Sequence, residues 1–202
     1  MNEVATPRII TQRGDSLSAW LEHAARLRIQ VFKDFPYLYE GNLDYERDYL
    51  AQFAAAKGAV LVLALDGERV VGCATAMAMS GAEAAFRQPF DQAGLPLHSI
   101  VYFGESVLLP AYRGLGVGHR FFDEREREAV RQGAGMTTFC AVQRPVSHPL
   151  RPANYRSLEP IWHKRGYRQR PDLTTRFHWK DLGETSETAK TMVFWTRESA
   201  TA

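Results

Sequence analysis

Two rhythms of apolar and polar residues divide the chain into elements. Residues 7–12 (Pro-Arg-Ile-Ile-Thr-Gln) are short and β-branched and predict a first strand. Leu17, Trp20, Leu21, Ala24, Leu27, Arg28 and Val31 then recur at helical spacing, with Ser16 placed to cap a helix running to about Lys33. A second helix is predicted from Asp44 to about Lys57, closed by Gly58. The period changes at Val60. Val60–Leu65 and Val70–Met79 are apolar, β-favouring runs joined by Asp66-Gly67, a hairpin signal. Residues 82–93 read as a helix ending at Gly94, and His98–Leu109 as a long strand. An amphipathic helix follows over about 115–132, then a strand at Met136–Val142 buried on both faces. A short helix near 157–165 and strands at about 173–180 and 190–197 complete the order.

A meander combined with strand–helix–strand crossovers implies an α/β (α+β) layered domain around one mixed sheet. With no repeat, linker or low-complexity tract, residues 1–202 read as one domain, its core at about 8–180 and its C-terminal strand at about 190–197. A net charge of +2 is too small to argue for nucleic acid, and the five lysines, Lys33, Lys57, Lys164, Lys180 and Lys190, form no block. Cys73 and Cys140 sit in separate apolar runs and read as buried reduced thiols, not as a disulfide framework. No apolar run approaches the ~20 residues of a membrane span. The expectation is a cytoplasmic protein without membrane, nucleic-acid or metal partners, since no histidines pair at ligand spacing.

The chemistry concentrates after Val107-Leu108-Leu109-Pro110, where Ala111-Tyr112-Arg113-Gly114-Leu115-Gly116-Val117-Gly118 leads at once into a helix. The first N–H groups of a helix lack intrahelical partners and carry partial positive charge. Glycines let an anion approach that backbone, so a strand–glycine loop–helix junction is a phosphate site, to which Arg113 adds a formal charge. A Walker loop needs Gly-Lys-Ser/Thr, but Gly118 is followed by His119 and Arg120. A dinucleotide fingerprint has different glycine spacing and stands near an early strand.

The run Leu108 to Gly118 resembles the signature of the GNAT superfamily of acyl-CoA-dependent N-acyltransferases. Asn154, Ser157, Trp162 and Gly166-Tyr167 are similar to that family's second cofactor segment, and the likeness spans roughly residues 8 to 180. It implies a single domain with a mixed, mostly antiparallel sheet flanked by helices, and acetyl-CoA as donor without a metal. It further implies that Arg113, Gly114, Leu115, Gly116, Val117, Gly118 and His119 hold the cofactor pyrophosphate. Val107, Leu108 and Leu109 would pair with the pantetheine arm, and Asn154 would approach it from the other side. Analogy also suggests a homodimer through the last strands.

Acyl transfer to an amine needs that amine neutral, which calls for a general base, and an acid assists the departing thiolate. Glu105, a carboxylate among Phe103, Val107 and Leu108, is the first candidate base, with an ion pair to an arginine as its structural alternative; His148 is second. The family's acidic tyrosine is matched by Trp162, whose indole is no acid. Tyr155 and His163 are the candidates left for that role. The aromatic loop 35–45, the insertion 80–97 and the Pro-rich loop 143–156 are candidate walls of an acceptor site. Tyr37, Tyr39, Glu40 and Tyr45 suit an amine-bearing cation, whereas Arg144, Arg151 and Arg156 suit a carboxylate. The leading expectation is acetyl transfer to a small-molecule amine. A CoA-binding regulatory or sensor module without turnover is the alternative, favoured by Trp162.

Overall fold

The computed structural model describes residues 5–199. Its elements are β1 (Arg8–Arg13), α1 (Leu21–Phe32), α2 (Leu43–Ala55), β2 (Val60–Asp66), β3 (Arg69–Ala78), α3 (Ala84–Gln92), β4 (Ile100–Leu108), α4 (Val117–Arg131), β5 (Met136–Val142), α5 (Glu159–Lys164), β6 (Arg168–Trp179) and β7 (Thr188–Glu198). The seven strands form one sheet in the order β1-β2-β3-β4-β5-β7-β6. Every neighbouring pair is antiparallel except β4 and β5, which run parallel.

The element order is the one the sequence rhythm predicts, and the differences lie at boundaries. Residues 14–20 form a 3-10 turn ahead of α1. The Ser16 hydroxyl closes that turn by accepting from Arg13 N–H (3.2 Å) and donating to Arg13 C=O (2.7 Å), so it does not cap the α-helix. The α2 cap is Asn42, whose Oδ1 takes the N–H of Asp44 (2.9 Å) and Tyr45 (3.1 Å). Strand β6 begins at Arg168, earlier than the predicted 173, because Arg168–Arg170 pair with Phe194–Thr196 before a register shift. Pro171 lies inside that shift, where an edge strand tolerates its missing N–H.

Helices cover both faces of the sheet. The Phe86 ring packs on Tyr102 and Phe177, and Phe90 packs on Phe194. The opposite face carries α4 and α5: Phe122 of α4 meets Phe103, Phe139 and Tyr167, and Trp162 of α5 meets Phe139 and Trp195. Consecutive strand residues point to opposite faces, so Tyr102 and Phe103 assign α3 and α4 to different sides. Double coverage explains why Val60–Leu65 is buried at every position instead of alternating.

Strand β4 departs from regular pairing on both of its sides. Its parallel pairing with β5 is limited to Ile100↔Met136, Val101↔Thr137 and Tyr102↔Thr138, after which the strands part. Its pairing with β3 slips where Ala74↔Ser106 is followed by Ala76↔Phe103, so β4 holds one extra residue in a bulge. At Gly72 the two strands approach closely: a Cβ there would stand 2.9 Å from the Val107 carbonyl oxygen and 2.6 Å from Leu108 Cδ1. Gly72→Ala is expected to lower unfolding free energy by about 1–3 kcal/mol through overpacking, measured by denaturant titration.

Candidate active site

The glycine loop presents a row of free amides. Gly114 and Gly116 adopt φ of +83° and +77°, and Gly116 caps α4, which therefore starts two residues after the predicted Leu115. Among the described residues the amide N–H groups of Gly114, Leu115, Gly116, Val117, Gly118 and His119 have no acceptor; the first bonded amide is Arg120 N–H, on Gly116 C=O (3.2 Å). A Cβ added to Gly114, Gly116 or Gly118 would meet no atom within 4 Å, so open space lies in front of these glycines. Free donors, a helix dipole and open space together fit a pyrophosphate. Arg113 reaches from the loop to Asp34 (3.1 Å) and to Leu108 C=O (3.3 Å). Exposed His119 lies at Arg165 (3.5 Å).

The strand leading into this loop offers a narrower main-chain edge than the trio Val107, Leu108 and Leu109 suggests. Leu109 N–H donates to Val71 C=O (2.9 Å), and Leu109 C=O accepts from Tyr112 (3.0 Å). Antiparallel alternation then directs the Val107 main chain to its partner Cys73 and turns that of Leu108 and Ser106 away from β3, toward the gap beside β5. Leu108 and Ser106 are thus the groups that could pair with an extended arm in the gap. Ser106 was not apparent from the sequence.

Glu105 reaches its position through the bulge. In a regular strand Phe103 and Glu105 would share a face. Here Phe103 faces Phe122 of α4, while the Glu105 carboxylate is bound by Arg28 of α1 (2.7 Å). The ion pair with an arginine therefore exists, from a helix distant in sequence. The same guanidinium binds Glu46 of α2 and lies over the rings of Tyr49 (4.4 Å) and Phe32 (5.1 Å). Two buried carboxylates share one arginine, and each keeps one oxygen, Glu46 Oε1 and Glu105 Oε1, without a protein partner.

The remaining predicted residues separate into two groups. Burial holds the Tyr37 phenol well above the usual range, with the Arg28 guanidinium acting against that shift. Tyr155 packs edge-on against Phe35 (4.8 Å) beneath Arg151 (4.8 Å), and burial raises its phenol too. Tyr39 also has a raised phenol, from burial first and the Glu46 carboxylate second. Glu40, by contrast, is drawn outward to Lys180 (2.9 Å). Asn154 and Arg156 are exposed, and His148 leans on Phe35 (5.7 Å). Trp162 and His163 pack against Trp195, on the face opposite to Glu105. Arg144 is not free to meet an acceptor carboxylate: it donates to Pro36 C=O (2.8 Å) and Tyr37 C=O (2.9 Å) and pairs with Asp181 (2.7 Å).

Arg28, Glu46 and Arg125 escaped the sequence reading as site residues. Each carries a signal in hindsight, a charge set within an apolar helical stripe: Arg28 beside Leu27 and Val31, Arg125 four residues from Phe121 and Ala129. The thiols Cys73 and Cys140 are free and buried, and burial pushes Cys140 up to about 12.

Residues 24–152, more than half of the chain, match the model of the acetyltransferase (GNAT) family. The chain belongs to this family and is an acyl-CoA-dependent acetyltransferase with acetyl-CoA as its donor. Solved structures share the fold at low identity. Ribosomal-protein-alanine N-acetyltransferase from Brucella melitensis aligns with a TM-score of 0.61 and 13% identity, over 94% of this chain and 99% of that one. The yncA protein from Salmonella typhimurium, with its cofactor acetyl-CoA, gives 0.56 and 13% over 94% and 93%. An aminoglycoside 6'-N-acetyltransferase complexed with coenzyme A gives 0.57 and 12% over 94% and 96%. No curated protein matches the chain by sequence.

Gly116→Val places a β-branched side chain at positive φ in the space before the amides. CoA affinity, measured by calorimetry, is expected to fall at least about tenfold, by loss of phosphate approach. Unchanged affinity in a folded variant would remove the glycine loop from the cofactor site.

Proposed function

We propose that this acetyltransferase acts on the amine of a small-molecule acceptor, with Glu105 as general base and Tyr155 as general acid. The observation that carries the reading is the unpartnered Glu105 Oε1 on the strand that runs directly into the row of free amides. A donor with its pyrophosphate on residues 114–119 and its arm along Leu108 and Ser106 directs its thioester toward the bulge. Glu105 Oε1 then takes a proton from the acceptor ammonium, directly or through one water, and leaves the neutral amine to attack the thioester carbon. The Arg28 pair holds the other carboxylate oxygen still, so the free oxygen keeps one orientation. The Tyr155 phenol supplies a proton to the departing thiolate. It packs on Phe35, in the loop that also carries Tyr37, whereas His163 packs against Trp195.

The names of structural relatives include both an aminoglycoside and a ribosomal-protein acetyltransferase, so the fold does not choose the acceptor. A small amine is favoured by the rim: Arg144 ties the loop carrying Phe35 and Tyr37 to the chain after β5, and aromatic rings line the carboxylates behind it. These rings and carboxylates suit a cationic amine.

Thiol release from acetyl-CoA across a panel of small amines and peptides tests this reading. Turnover with small amines and none with peptides is expected; CoA binding without turnover on any amine would favour a binding module instead. Glu105→Gln should lower kcat/KM by about 10²- to 10⁴-fold near neutral pH, with partial recovery at alkaline pH as the amine deprotonates unaided. Tyr155→Phe should lower kcat by about 10²-fold with acceptor KM little changed.

A further inference from the structure

The most unusual charge outside the reacting groups is Arg125 of α4, which is 1% exposed. A buried guanidinium ordinarily finds a carboxylate, but among the described residues Arg125 makes no ion pair and binds only neutral oxygens. Its Nε donates to Phe121 C=O (3.1 Å), one terminal nitrogen to Thr75 C=O (3.4 Å) and Glu105 C=O (3.3 Å), and the other to Ser106 Oγ (2.8 Å). The rings of Phe103 (4.6 Å) and Phe122 (4.9 Å) flank it. Its hydrogen-bond partners on β3 and β4 are Thr75, Glu105 and Ser106, the residues of the bulge. There the ladder between β3 and β4 is interrupted, and Glu105 N–H turns to the Thr75 hydroxyl (3.2 Å) instead of a carbonyl.

We propose that Arg125 is a positioning residue for acetyl transfer, holding the β4 bulge from the α4 side so that Glu105 is delivered to the α1 side. Glu105 is then fixed at two points: its carboxylate by Arg28 and its carbonyl by Arg125, on opposite faces of the sheet. Without the second hold, the bulge can shift into the ladder, a one-residue slip that returns Glu105 to the α4 side. The inference rests on the reading of Glu105 as base. Burial lowers the Arg125 guanidinium to about 10, which still leaves it charged at neutral pH. The titratable groups facing it are Tyr167, Glu105, Glu126 and Arg165.

A double-mutant cycle between Arg125→Met and Glu105→Gln tests the proposal, with CoA affinity, acceptor KM, kcat and melting temperature read for each variant. Arg125→Met is expected to lower kcat by about 10²-fold, as misplacement of a reacting group by about 1 Å does, with CoA affinity within about twofold. Arg125→Lys, which keeps a charged donor, should recover part of that loss. In the Glu105→Gln background Arg125→Met should have little further effect, because it acts through Glu105. Parental kcat in folded Arg125→Met, or losses that multiply in the double variant, would overturn the proposal. Should Arg125→Met fail to fold, Ser106→Ala removes the shortest of the four bonds. It should lower kcat by about tenfold with the same non-additivity; multiplying losses there would be equally fatal. Parental activity in Glu105→Gln, whatever Arg125→Met does, instead overturns the base assignment and the route through it.

Discussion

Beyond Tyr102 and Thr138, β4 and β5 no longer pair with each other in the middle of the sheet. An edge inside a folded domain is costly unless something with complementary donors and acceptors fills it. The parting has a simple origin. Strand β5 commits seven residues to β7, from Met136↔Glu198 to Val142↔Met192, and β4 commits its far end to β3, ending with Gly72↔Leu108. Each strand follows its stronger partner, and the gap between them suits the amide-bearing extended arm of the donor. The free amides of residues 114–119 then stand at the end of the same strand, in the place the proposed reading gives to the pyrophosphate.

The surroundings of this gap show how buried charge is handled without a dense ion network. Arg28 holds two carboxylates and leaves one buried oxygen of each without a partner; removing it would leave two buried acids unmatched, a loss of about 3–5 kcal/mol by analogy with other buried pairs. Arg125 does the reverse, spreading one charge over four neutral oxygens and two aromatic faces. Side-chain reach from both helical layers thereby fixes a short stretch of strand that lacks regular ladder bonds.

The fold was largely legible in the sequence because its strands and helices carry their periods cleanly. Val60–Leu65 and Met136–Val142 are runs that only a doubly covered sheet would bury, and the glycines of the loop 113–118 mark the strand-to-helix junction. What escaped is of another kind. The bulge at Glu105 reverses side-chain parity, and no pattern in Phe103-Gly104-Glu105-Ser106 announces it; Gly104, whose Cβ would collide with the Thr75 hydroxyl, is the only local trace. Arg28 and Glu46 meet Glu105 through tertiary packing, over a separation of 77 residues in the case of Arg28. Arg144, expected as an acceptor contact, is consumed by carbonyls whose orientation no sequence rule supplies.

Arg144 and Asp181 also bear on how such a protein could change its preferences. The segment bearing Tyr37 and Tyr39 is sewn to the connection between β6 and β7: Tyr39 bridges to Asp181, Leu182 N–H donates to Leu38 C=O (2.7 Å), and Arg144 clasps both sides. Three stretches, the first lying 107 residues before Arg144 at their nearest seam, therefore behave as one module. Grafting the aromatic loop alone from a relative would tear these seams, whereas transplanting all three together preserves them. Where these stretches form the acceptor side, as proposed, divergence of acceptor choice proceeds by correlated change across all three.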